Sequence, residues 1–200
     1  MAEVDTLRAR LGWPTVGVPA LGLHVRRGDA ATAQPDGGVP SKATRQSFSL
    51  ETYLAQADEI CSARGISHVF MATESADELA RARRLRPQYV FLAVDHDRSV
   101  FPDLAVSQQF IEDMAFEHPE RIPALVRSAV LDLQCFSHCD AFIGTFNSEF
   151  SVLAWLLVVG ARGHLVPYFS LSQPLSRRSL DPYEALLNVR NNCPLELYHW

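Results

Sequence analysis

Apolar runs of strand length alternate with longer segments of helical periodicity between residues 16 and 169. The runs are VGVPALGLHV at 16–25, SHVFMAT at 67–73, QYVFLAV at 88–94, DAFIGT at 140–145 and HLVPYF at 164–169. None shows the strict polar–apolar alternation of a strand with one wet face. Strands that are apolar on both sides need cover on both sides, and strands separated by helices run parallel. The pattern therefore predicts an α/β domain, a three-layer Rossmann-like parallel sheet with helices on each face.

The intervening segments carry helix signals. Ser49 precedes a segment over 50–64, with Leu50, Leu54, Ala57 and Cys61 at helical spacing and Gly65 after it, which reads as an N-capped helix closed by a left-handed glycine. Further helices are predicted over 4–12, over 76–86, from Pro119 through Phe136 (Ile122, Leu125, Val126, Ala129, Leu133, Phe136) and over SEFSVLAWLLVV from Ser148. The stretch from 96 to 119 reads as irregular, with a short helix around 107–116. Residues 28–46 are rich in Gly, Pro and small polar residues, a loop long enough to suggest function. Residues 1–170 read as one domain and 171–200 as a peripheral tail.

Composition removes several function classes. A net charge of −5 argues against a general nucleic-acid surface, so any cationic site must be local. The most apolar segment, FSVLAWLLVVGA, offers about a dozen positions where a membrane span needs roughly 20. Cys61, Cys135, Cys139 and Cys193 lack CxxC spacing and are too few for a disulfide framework. Cys135 and Cys139, one helical turn apart, could seed a metal site, but such a pair more often means small buried residues.

Parallel sheets of this kind bind ligands beyond the carboxyl ends of their strands. The first run ends there in HVRRGD, residues 24–29. Arg26 and Arg27 together suit a diphosphate, since each guanidinium has a fixed fork of donors; the alternative is a structural network with Asp29. GTFNSEF at 144–150 joins the fourth run to an apolar helix, with Asn147 or Ser148 as N-cap. N–H groups at such a start attract anions, although an ordinary capped helix has the same signature. Asp132 falls at the border of the apolar stripe, where a carboxylate could accept from the Watson–Crick edge of guanine, or be a solvated border residue or a salt-bridge partner. No GxGxxG and no Walker loop occurs. Asp95 and Asp97 imitate the Asp-x-Asp that holds Mn²⁺ against a sugar nucleotide, but the match is too short to carry a metal site, and none is assigned.

With these residues in view, the chain resembles the α-1,6-fucosyltransferases from about Val16 to Pro167, in collinear order. The resemblance lies in GLHVRRGD, VFMATES and VLDLQCFSHCDAFIGTFNSEF. It implies the donor half of a GT-B glycosyltransferase that binds GDP-fucose, inverts the anomeric carbon and needs neither metal nor cofactor. Carried over residue by residue, it implies that Arg26 and Arg27 hold the diphosphate and that His24 and Asp132 hold guanine. Asp29 and the stretch Thr145, Asn147, Ser148 and Glu149 would complete the donor site. The implied partners are a GDP-sugar and a glycan or glycoprotein acceptor. An N-terminal acceptor domain would stand outside this chain, and a Golgi lumen location follows only for a longer, membrane-anchored protein.

The departures bear on catalysis. Ala30 replaces a lysine usual in the family, and Gln34 stands where a glutamate should take the acceptor's proton. An amide is no general base; Asp36 is the nearest carboxylate that could serve. Glu74 keeps one of two paired aspartates after the second run, Ser75 loses the other, and Glu149 replaces a neutral glutamine. Donor binding is thus better supported than turnover, and the second expectation is a catalytically silent GDP-sugar-binding or interaction domain.

Overall fold

The computed structural model describes residues 2–26, 48–96 and 116–172. In chain order these form α1 (Ala2–Arg10), β1 (Ala20–His24), α2 (Leu50–Arg64), β2 (His68–Ala72), α3 (Ala76–Leu85) and β3 (Val90–Leu92). A 3₁₀ turn (Pro119–Arg121), α4 (Ile122–Phe136), β4 (Ala141–Gly144), α5 (Glu149–Arg162) and β5 (Tyr168–Ser170) follow. The five strands pair in the order β3-β2-β1-β4-β5, every pair parallel. The α/β three-layer architecture read from the sequence is the one observed.

Strand alternation sorts the core into two. Leu21, Leu23, Val69, Met71, Ala141 and Ile143 face one side and pack with Leu50, Leu54 and Ala57 of α2 and with Leu79 and Ala82 of α3. Phe70, Ala72 and Phe142 face the other, against Phe136 of α4 and Trp155 and Val158 of α5. A run apolar at every position is what such a sheet requires.

Local chemistry sets the element ends. Ser49 Oγ accepts from Thr52 N–H, and Gly65 closes α2 at φ 64°. Ser75, at the position where the resemblance has a second aspartate, caps α3 by accepting from Glu78 N–H. All five runs are shorter as strands than they read, and in the first and last a proline marks where pairing begins. Pairing in the first starts only at Ala20, because Pro19 has no N–H to donate and Gly17 turns the backbone to φ 92°. In the last, Leu165 and Val166 are buried, but pairing waits until Tyr168, after Pro167. The first helix runs over Ala2–Arg10 rather than 4–12.

The strand order decides where a ligand can go. From β1 the chain moves outward to β2 and β3, then returns to lay β4 on the other side of β1. The crossovers leaving the ends of β1 and β4 thus diverge to opposite faces. Ligands of doubly wound sheets lie at this switch point.

Candidate functional site

β1 ends at His24 and continues through buried Val25 to half-buried Arg26. β4 ends at Gly144 and passes through Thr145–Ser148 into α5. Arg26 Nη1 donates to Ser148 Oγ at 3.0 Å across the switch point. A cation from one strand tip and a helix start after the neighbouring strand are thereby brought together.

Ser148 is the N-cap by backbone geometry (φ −106°, ψ 119°), but its side chain makes no capping bond to the helix. Its hydroxyl is taken by Arg26 instead. The preceding loop uses its own N–H groups. Thr145 N–H donates to Ser151 Oγ, Phe146 N–H to Ser170 Oγ and Asn147 N–H to Ser172 Oγ. Ser148 N–H reaches Thr145 O at 2.9 Å, and the first helical bond runs from Val152 N–H to Ser148 O. Among the described residues, the N–H groups of Glu149, Phe150 and Ser151 have no acceptor. The N-terminal partial charge of a 14-residue helix therefore stands beside a guanidinium. Such a mouth attracts anions, and phosphate above all.

His24 sits behind it, 8% exposed. Nδ1 lies 2.6 Å from Ser151 Oγ, and the ring packs 4.7 Å from that of Phe150. Burial first, and then the Arg26 charge, lower its pKa from 6.5 to about 3, so the imidazole is neutral at any physiological pH. The His24–Ser151 pair is not a nucleophile and its base: Ser151 is 0% exposed, and no electrophile reaches it.

Asp132 is buried on α4, on the inward side with Leu125 and Ser128, not solvated at a border. It lies one helical turn before Phe136, whose ring contacts that of Phe150, and Phe150 in turn contacts His24. Asn147 and Glu149 are exposed. Arg27, Asp29, Ala30, Gln34, Asp36 and Asp97 lie outside the described residues, as does the tail from 173. Asp95 is exposed at the end of β3. Among the described residues no three His, Cys, Asp or Glu side chains cluster as metal ligands do, and no helix is long and apolar enough to cross a membrane.

Reasoning from sequence missed Ser151, Ser170 and Ser172. The first had a readable signal, a lone hydroxyl in the first turn of an otherwise apolar helix. The other two did not, because only the β4–β5 pairing brings them to the loop.

No protein-family model and no curated protein sequence matches this chain. Among solved structures it is similar to the α-1,6-fucosyltransferase NodZ soaked with GDP-fucose, at 21% identity over 89% of this chain and 44% of that one, with a TM-score of 0.46. It is similar to fucosyltransferase NodZ from Bradyrhizobium at 21% identity over 85% and 43%, TM-score 0.44. POFUT1 in complex with GDP-fucose aligns at 14% identity over 86% and 46%, TM-score 0.49. The chain spans less than half the length of each of these structures.

Proposed function

We propose that this domain binds the diphosphate of a GDP-sugar, GDP-fucose before others, and acts as the donor half of an inverting fucosyltransferase. The observation that carries the reading is the 3.0 Å bond from Arg26 to Ser148, which sets a guanidinium against open helix N–H groups at the switch point. The collinear sequence resemblance supports the identity of the ligand. Arg26 and Arg27 bind the two phosphates, and the N–H groups of Glu149 and Phe150 at the helix mouth add donors. Charge grows on GDP as the glycosidic bond breaks, and fixed donors stabilise it without having to reorganise. With two guanidinium groups in that role, the leaving diphosphate needs no divalent cation. His24 and Asp132 hold the guanine, with Asp29, Thr145 and Asn147 around the donor. Asp36 takes the proton of the acceptor, a glycan or glycoprotein hydroxyl presented by a separate acceptor half.

Ala30 and Gln34 favour a second reading, a GDP-sugar-binding domain without turnover. Calorimetry with GDP and UDP tests both. GDP binding tighter than UDP is expected, and absent or equal binding defeats the two together. Release or transfer of fucose from GDP-fucose then divides enzyme from binder.

A further inference from the structure

Ser151 lies behind the diphosphate mouth, third residue of α5 and 0% exposed. Its Oγ meets two partners, Thr145 N at 3.3 Å and His24 Nδ1 at 2.6 Å. A backbone N–H only donates, so Thr145 occupies a lone pair of Oγ. The hydroxyl proton needs an acceptor of its own. Ser128 shows the usual helical solution, donating back to Leu125 O at 3.0 Å. Ser151 makes no such bond, and among the described residues His24 Nδ1 is the one acceptor its proton has. The reverse arrangement, Nδ1–H donating to Oγ, would strand a fully buried hydroxyl proton at the full desolvation cost. The site is built for the contact: a Cβ added at Gly144 would stand 2.8 Å from Ser151 Oγ, so glycine leaves the hydroxyl its place.

A neutral imidazole that accepts at Nδ1 carries its proton on Nε2. We propose that Ser151 is a positioning residue that fixes His24 as the Nε2–H tautomer, so that the tip of β1 offers the ligand a hydrogen-bond donor and not an acceptor. Nε2 has no hydrogen-bond partner among the described residues, and the ring packs against that of Phe150. Under the GDP-sugar reading, on which this step rests, a fixed donor suits the O6 carbonyl of guanine and repels the amino group that adenine carries at that position. Ser151 thus sets base preference without touching the base.

Nitrogen-15 NMR of the 200-residue chain, labelled at histidine, reads the tautomer directly, with the His24 signals identified by their loss in His24→Gln. The free wild-type protein is expected to show His24 with the proton on Nε2. In Ser151→Ala the two tautomers should mix, GDP affinity should fall roughly tenfold, the worth of one neutral hydrogen bond, and the preference for GDP over ADP should narrow. Ser151→Cys, similar in size with a weak donor, should fall between the two. A wild-type proton on Nδ1, or a tautomer indifferent to both substitutions, overturns the proposal. A Ser151-dependent Nε2–H tautomer in a protein that binds no GDP would uphold the tautomer lock and sink the donor-site reading instead.

Discussion

Arg26 Nη1 donates to Ser148 Oγ at 3.0 Å, although 122 positions separate the two in sequence. The bond diverts the hydroxyl of an N-cap residue away from its own helix. A side chain suited to satisfying the first N–H groups of α5 is instead tied to a cation, and the N–H groups stay open to an anion from outside.

Replacing Arg26 with alanine removes the cation and releases the Ser148 hydroxyl to cap its helix. Loss of a charge-assisted contact to a diphosphate is expected to weaken GDP binding by about 1.5–3 kcal/mol, measured by calorimetry. The melting temperature should move little, because the residue is half-buried at the rim. A large drop in melting temperature with unchanged GDP affinity would instead make the arginine a structural element.

Two glycines should respond oppositely to alanine. A Cβ at Gly22 would stand 2.8 Å from Phe136 Cδ1 and 3.3 Å from Cys139 Sγ. Phe136 is wedged between the rings of Phe70 and Phe142 and has nowhere to retreat. Urea unfolding should show Gly22→Ala destabilised by about 1–3 kcal/mol. Gly160 is exposed within α5, with nothing within 4 Å of an added Cβ, and Gly160→Ala should gain up to about 1 kcal/mol.

His24 should make stability depend on pH. Its pKa falls from 6.5 to about 3 on folding, through burial first and then Arg26. Between those values the unfolded chain binds a proton that the folded one refuses. The contribution is therefore complete above about pH 6.5 and is lost as pH falls towards 3. Going from pH 7 to pH 5 should cost the wild type about 2 kcal/mol more than His24→Gln in urea titrations. Equal losses in the two proteins would contradict the buried neutral ring.

The core cysteines should be silent towards thiol reagents. Cys61, Cys135 and Cys139 are buried, and desolvation above all raises the thiols of Cys61 and Cys135 to about 12. Cys139 is pushed well above its usual value, again chiefly by burial. In a Cys193→Ser background, a disulfide reagent at pH 8 should modify the native protein only at the rate of its unfolding, since the thiolate is the reactive form. Rapid modification without denaturant would show an open site.

Much of the fold was legible locally. Continuous apolar runs foretold a sheet covered on both faces, and Ser49 with Gly65 marked the ends of α2 by cap chemistry alone. The ends of the first and last strands were less legible, because prolines 19 and 167 remove N–H donors inside runs that stay apolar and buried.

The candidate site divides along the same line. Arg26 at the end of an apolar run, and Ser148 at the start of a helix, are facts of sequence, and so is the chemistry each can do. That they meet depends on β4 lying against β1 rather than on the outer edge of the sheet. Burial of Asp132 and the coupling of His24 to Ser151 likewise arise from the packing of α4 and α5 on that sheet. Local order along the chain fixes which elements form, because periodicity and caps act within a few residues. Which strand ends become neighbours is decided by long-range packing and strand order, and only that choice turns separate polar side chains into one site.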